Sequence, residues 1–288
     1  MASHHDLTGK VALITGAGRG IGLATAQRLA ARGASVALVD LGYRRVEEAA
    51  AEIGAHRAVG LVADVTDRAA LEEAVGAVME RFGGLDVVVA NAGIASRAAT
   101  FRAMAPEAFE RVVEVDLLGV CRTVAVALPH VVTRRGHVVV VASLYAFANG
   151  FGATPYAISK AGVESFGRAL RVEVAQHGVG VTIAYFGWID TELVHRTIDA
   201  DPMSRRMLAH LPAPLRTRLP ASAAADAIVD GIERRRPRVM RPRRFAVMSA
   251  LRGVLNPLLD EQMLRDAETQ AIAREFDRRA GEEQPLSV

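Results

Sequence analysis

Lys10-Val11-Ala12-Leu13-Ile14-Thr15-Gly16-Ala17-Gly18-Arg19-Gly20-Ile21-Gly22 decides the fold of this chain. Its first half is a continuous apolar run with β-branched residues, as expected of a strand buried on both faces. Its second half is a glycine turn that opens a helical run over residues 20–32. Glycines here let the backbone approach a ligand closely, and the start of a helix offers free amides and the positive end of its dipole. Strand, glycine turn and helix in that order predict a cradle for the diphosphate of a dinucleotide. The glycines fall as Gly-x-x-x-Gly-x-Gly, not as the commoner Gly-x-Gly-x-x-Gly.

Working outward, strand and helix patterns alternate. Strands are expected over 35–40, 58–63, 85–90, 137–142 and 180–185. Helices are expected over 44–54, 67–82, 106–134 with a break near Pro129, and 155–177. Alternation of this length predicts an α/β fold with a doubly wound parallel sheet, Rossmann-like, in a single domain. Residues 1–8 read as a flexible N-terminus and 9–240 as the catalytic domain. Four prolines between 192 and 220 mark a helical lid over the substrate. A helix over 221–235 and a short strand over 238–240 complete the domain, and 241–288 form a C-terminal helical extension. The second strand ends at Asp40, eighteen residues beyond Gly22. A carboxylate there accepts hydrogen bonds from adenosine ribose hydroxyls and repels a 2′-phosphate, so NAD is expected ahead of NADP. Arg19 in the turn argues the other way.

Composition narrows the function. The chain has 288 residues, of which 51% are apolar and 23% charged, a globular balance with material for a large core. A net charge of +3 does not identify a nucleic-acid binder. The one cysteine, Cys121, permits no internal disulfide, which fits a reducing cytoplasm. No signal peptide and no transmembrane segment is read from the pattern. His177, His195 and His210 lack metal-ligand spacing, so no metal is expected.

Of the thirty-five basic residues only Lys10 and Lys160 are lysines. Lys160 lies four residues after Tyr156, which on a helix puts phenol and ammonium on one face. Such a pair suits a phenolic acid/base, with the ammonium favouring the phenolate. Tyr145 is a decoy, because Asn149 and no lysine stands four residues beyond it.

These segments together resemble the short-chain dehydrogenase/reductase family. Residues 15–22 are similar to its cofactor turn, with Gly16, Arg19, Gly20, Ile21 and Gly22. Asp64-Val65 resembles the acid after the third strand that holds adenine, and Asn91-Ala92-Gly93 the triplet after the fourth. Ser143, then Tyr156-x-x-x-Lys160, resembles the catalytic core, and the stretch with Ile189 and Thr191 the segment gripping the nicotinamide carboxamide. The resemblance implies that Tyr156 is the general acid/base, that Lys160 lowers its pKa and holds ribose hydroxyls, and that Ser143 orients the substrate oxygen. It also implies a homodimer or homotetramer built through the long helices after the fourth and fifth strands.

Two positions depart from the family pattern. Asp116 stands where the family has an asparagine that holds a water behind the lysine, and Phe186 stands where it has proline. Asp116 is expected beside Lys160, either holding that water or competing for the ammonium. Both departures motivate an alternative function, a non-redox NAD-binding sensor or scaffold. The main expectation is an NAD(H)-dependent oxidoreductase that interconverts a secondary alcohol and a ketone. Leu144, Phe147, Phe151, Trp188, Met203, Met207 and Leu208 are candidate pocket walls and suggest an apolar, cyclic or lipid-like substrate. The basic run 234–244 followed by the apolar stretch 245–259 reads as a solvated face and a packing helix. It also allows peripheral membrane contact or contacts between copies.

Overall fold

The computed structural model describes residues 5–281 and 286–287. Among the described residues, eleven strands and eleven α-helices follow in chain order. The first half runs β1 (Val11–Thr15), α1 (Gly20–Ala31), β2 (Ser35–Asp40), α2 (Tyr43–Ile53), β3 (Ala58–Val62), α3 (Arg68–Phe82), β4 (Val87–Ala90), β5 (Ala95–Ser96), α4 (Pro106–Val113), α5 (Gly119–Thr133) and β6 (His137–Val141). The second runs α6 (Thr154–Glu173), β7 (Gly180–Phe186), β8 (Ile189–Asp190), α7 (Glu192–Val194), α8 (Pro202–His210), β9 (Leu219–Pro220), α9 (Ala221–Glu233), β10 (Arg238–Arg241), α10 (Phe245–Arg265), α11 (Ala267–Asp277) and β11 (Leu286–Ser287).

Seven strands form one parallel sheet in the order β10-β7-β6-β4-β1-β2-β3. Its strands are continuous apolar runs because helices cover both faces. One core lies under α3, α5 and α6, built around Leu13, Val88, Val138 and Ile183. The other lies under α1, α2 and α9, around Ile14, Leu38, Val139 and Ile228. The chain winds from β1 towards β3 and then restarts at β4 on the other side. The crevice therefore opens at the C-terminal ends of β1 and β4, where a doubly wound sheet binds its ligand.

Three expectations change. In the stretch expected to be flexible, Leu7 is buried and the His5 N–H donates to the Glu233 carbonyl at 2.7 Å, so residues 5–8 are tied to the domain; residues 1–4 lie outside those described. The long helix after β4 does not break at Pro129, which sits inside α5. It widens instead into a π-turn at Glu114–Leu118, between α4 and α5. Strand β7 runs one residue beyond expectation, because Phe186 continues the pairing opposite Arg241. The stretch Pro106–Thr133 is apolar and long enough to cross a membrane, but it packs as a core helix against α6.

Candidate active site

The glycine turn is shaped by sterics. Gly16 and Gly20 have φ of +64° and +56°, where a side chain would be strained. A Cβ on Gly16 would meet Ala92 Cα at 2.8 Å, so the turn lies directly on the loop after β4. Asn91 fixes that junction by donating its side-chain amide to the carbonyls of Thr15 and Gly16 at 2.9 and 3.2 Å. A Cβ on Gly22 would meet the Gly16 carbonyl oxygen at 2.2 Å. Gly22 thus does not line the cleft; it lets α1 pack beneath the turn.

Asp40, at the tip of β2, accepts from the Gly18 N–H at 3.0 Å and the Gly42 N–H at 3.3 Å. Arg19 is held by Glu192, which Arg45 also approaches at 3.6 Å. Asp64 accepts from the N–H and hydroxyl of Thr66, both at 2.8 Å, and pairs with Arg111 at 3.0 Å. Burial works to raise its pKa, but these hydrogen bonds outweigh it and hold the carboxyl below its usual range. A groove of about 160 Å³ joins Gly16, Arg19, Gly20, Ile21 and Asp40 to Asp64 and Val65, and runs past Asn91, Ala92, Gly93 and Thr191. A diphosphate cradle, a ribose-side carboxylate and an adenine-side acid in that order fit a dinucleotide.

The groove leads into a second cavity, of about 500 Å³, on whose floor stand Ser143, Tyr156, Lys160 and Asp116. Ser143 follows β6 and caps a single helical turn at Leu144–Ala146. Its Oγ accepts from the Tyr145 N–H at 3.3 Å and donates to the Phe186 carbonyl at 3.4 Å. Tyr156 and Lys160 are one turn apart on α6, with Lys160 Nζ 5.3 Å from the centroid of the Tyr156 ring. Nζ also donates to the Val141 carbonyl at 3.3 Å. Tyr145 meets the Tyr156 ring edge to face at 5.7 Å. Burial drives the Tyr145 phenol up to about 12, which keeps it protonated.

The π-turn places Asp116. Its side chain is wholly buried, Oδ1 accepts from the Ile94 N–H at 2.7 Å, and Oδ2 faces Lys160 Nζ at 3.2 Å. Burial pushes the Asp116 carboxyl upward while Lys160 pulls it back. Burial alone would lower the Lys160 pKa, but Asp116 and Tyr156 more than offset it and the ammonium is favoured. The Tyr156 phenol is raised, first by burial and also by Asp116, against the opposing pull of Lys160. The phenol is therefore the protonated form at neutral pH.

Of the expected walls, Leu144, Phe151, Trp188 and Met207 line the cavity. Phe147 instead packs in the core against Tyr185, and Met203 against the cluster of Phe276 and Ile272. Leu208 lies outside the lining. Phe186 is buried, contributes to the wall, and receives the Ser143 hydroxyl on its carbonyl. Ile189 and Thr191 border the cavity opposite the glycine turn. Residues that sequence reasoning missed come from the extension: Phe245, Met248, Leu259 and Met263 on α10, and Ile272 on α11. The extension is clasped by Asn149, which donates to Asp260 at 2.9 Å, and by Asn256, which donates to the Phe147 carbonyl at 2.8 Å. Just beyond α11, Arg279 pairs with buried Asp201 at 2.7 Å.

Comparison with known proteins agrees with this geometry. A family model described as short chain dehydrogenase matches residues 10–201. The chain is 40% identical over 192 residues to cis-4-hydroxycyclohexanecarboxylate dehydrogenase of Sinomonas cyclohexanicum, covering 64% of this chain and 75% of the relative. It is 33% identical over 245 residues to fatty acyl-CoA reductase of Acinetobacter baylyi, covering 84% and 77%. The solved structure of levodione reductase superposes with a TM-score of 0.75 at 30% identity, covering 81% of this chain and 96% of that one.

Proposed function

Since the chain belongs to the short-chain dehydrogenase family and is an oxidoreductase acting on CH–OH groups with a nicotinamide cofactor, we propose that it uses NAD(H) to interconvert an uncharged, apolar secondary alcohol and its ketone. The observation that carries this reading is the placing of Tyr156, Lys160 and Ser143 at the floor of an apolar cavity that continues into the dinucleotide groove.

In this reading the amides of the turn from Gly16 to Gly20 hold the diphosphate, Asp40 the adenosine ribose, and Asp64 with Val65 the adenine. Tyr156 and Lys160 hold the second ribose, and Ile189 and Thr191 the carboxamide. The bound nicotinamide supplies or takes the hydride. Ser143 holds the substrate oxygen, and Tyr156 gives that oxygen a proton in reduction or takes one in oxidation. Burial raises the phenol, so the donor form needed for reduction is present at neutral pH, and oxidation is favoured at higher pH.

Two features support the finer choices. Glu192 engages Arg19, the turn's own cation, while Asp40 faces the groove, and both favour NAD over NADP. Among the described residues, Lys160 and His210 are the basic side chains along the cavity wall, whereas Asp260 and Asp266 line its far end. This wall suits a neutral substrate better than a carboxylate. Exposed Leu118, Ile158 and Val172 on and beside the long helices support a homo-oligomer, and the single, half-buried Cys121 supports a reducing cytoplasm.

The test follows NADH absorbance with a panel of neutral and carboxylated ketones, for the wild type and Tyr156→Phe. Neutral apolar ketones should turn over best. The variant should lose roughly a thousandfold in rate while still binding NADH. Undiminished turnover by Tyr156→Phe, or a preference for carboxylates, overturns the proposal.

A further inference from the structure

Two arginines stand near Asp40 at the tip of β2. A Cβ added to Gly18 would meet Asp40 Cγ and Arg45 Cβ, each at 3.1 Å, so the glycine turn and the start of α2 close on that carboxylate. Arg19 is the next residue of the turn. Both Asp40 oxygens already accept backbone N–H groups, from Gly18 at 3.0 Å and Gly42 at 3.3 Å. Arginine forks beside the adenosine ribose are what receives a 2′-phosphate. Left to themselves, two such cations around one engaged acid would admit NADP.

Glu192 intercepts both. Its Oε2 accepts from Arg19 and lies 3.6 Å from Arg45, while Oε1 pairs with Arg196, one turn further on. The Arg19 hydrogen bond is the largest of the effects that hold the Glu192 carboxyl below its usual range, so it is ionised at neutral pH. Glu192 itself lines the dinucleotide groove, beside Arg19, Asp40 and Leu41. It also opens α7 directly after Thr191, and the segment that follows supplies Leu193, Val194, Ile198 and Met207 to the cavity wall. One carboxylate therefore joins the glycine turn and α2 to the wall of the substrate cavity.

Resting on the proposed NAD(H) site, we infer that Glu192 is a specificity-determining residue: it clamps Arg19 and Arg45 away from the place of a ribose 2′-phosphate and so sets NAD above NADP. NAD presents only hydroxyls there, which Asp40 can accept without disturbing the clamp. A 2′-phosphate brings a charge of about −2 and needs the arginine forks. It binds only by drawing them off Glu192, which loosens the first turn of α7. Discrimination is thus felt twice, in affinity and in the cavity wall. The glycine turn and β2 carry conflicting marks, Arg19 against Asp40, and a residue far along the chain decides between them. Glu192 acts through the two arginines, so it is a positioning residue.

Fluorescence titration of the full-length protein with NADH and NADPH tests the clamp, with circular dichroism to confirm folding. Glu192→Gln keeps the shape of the side chain and removes its charge. It should tighten NADPH roughly tenfold and move NADH less than about threefold. Added to Arg19→Gln/Arg45→Gln, the same change should bring no such gain. Trp188, the single tryptophan, donates to the Leu215 carbonyl at 3.1 Å and reports on the wall. Saturating 2′,5′-ADP should shift its emission in the wild type, where 5′-ADP does not. An NADPH-to-NADH affinity ratio that Glu192→Gln leaves unchanged overturns the inference, whichever dinucleotide the wild type prefers. A gain that survives without the two arginines overturns it too, as does equal Trp188 emission with both nucleotides. A wild type that prefers NADPH, with a ratio that still rises in Glu192→Gln, overturns the choice of NAD and leaves the clamp standing.

Discussion

Replacing Asp116 by asparagine removes one charge from a buried cluster and leaves its shape. The asparagine oxygen can still accept from the Ile94 N–H, which now binds Oδ1 at 2.7 Å. The carboxylate lies 3.2 Å from Lys160 Nζ, and Nζ lies 5.3 Å from the Tyr156 ring centroid, so the charge is within about 8.5 Å of the ring. At that separation and an effective dielectric constant of about 20, a unit charge acts with about 2 kcal/mol, or about 1.4 pH units. The sign follows from the charge. Ionised Asp116 favours the proton on both Tyr156 and Lys160, so its loss lets the phenol ionise more easily while Lys160 stays charged. The acid limb of kcat/KM for alcohol oxidation should therefore move about one unit towards lower pH, measured across the inflection with the wild type alongside. An unmoved limb would mean that burial keeps Asp116 protonated. A limb moved upward would mean that Lys160 loses its ammonium with its partner. Either result refutes the reasoning.

Asp40→Ala should weaken NAD(H) binding roughly tenfold to a hundredfold and narrow its advantage over NADP(H), read by fluorescence titration of both. Tighter NADPH binding by the wild type would show that Arg19 and Arg45 outweigh Asp40. Gly22→Ala should cost about 1–3 kcal/mol of stability and sharply reduce cofactor affinity, because its methyl group would strike the Gly16 carbonyl at 2.2 Å; denaturant melts and titration check both. His137 is fully buried against Thr182 at 2.7 Å, and burial lowers its pKa to about 3. Its folded pKa lies below the unfolded value near 6.5, so the stability it contributes is present above about pH 6.5 and is lost as pH falls towards 3. The loss is at most about 1.4 kcal/mol per pH unit, and urea midpoints of His137→Gln should fall less steeply over that window.

The sheet was legible because its strands are buried on both faces and so read as unbroken apolar runs between turn residues. The residues proposed for catalysis were legible for a related reason: Tyr156 and Lys160 are one helical turn apart on α6, and the glycine turn is local. What sequence missed is what tertiary contact decides. Pro129 signals a missing donor, yet α5 runs through it. The π-turn at Glu114–Leu118 carries no local mark; it exists where the helix must turn Asp116 inward onto Ile94 and Lys160. Periodicity likewise could not tell which apolar residues face the cavity. Phe147 and Met203 face packed clusters instead, and α10, with apolar residues on every side, gives no clear phase from which to choose its inner one.

That ambiguity separates chemistry from selectivity. The matched family segment ends at residue 201, and Ser143, Tyr156, Lys160 and Asp116 all lie within it. Beyond it, α8, α10 and α11 supply Met207, Phe245, Met248, Leu259, Met263 and Ile272 to the cavity wall. Relatives can therefore share the residues proposed for proton transfer while differing in what they admit. The extension is fixed tightly enough to set that difference. Phe276 is wholly buried against Phe151, with ring centroids 5.7 Å apart, and leaves no room for a Cβ on Gly152, where φ is already +74°. Arg279, just beyond α11, pairs with Asp201, and Arg206 on α8 pairs with Glu268 at 2.5 Å. Helices α8, α10 and α11 thus form one wall, so a change in any of them should alter which ketone enters before it alters how the proton moves.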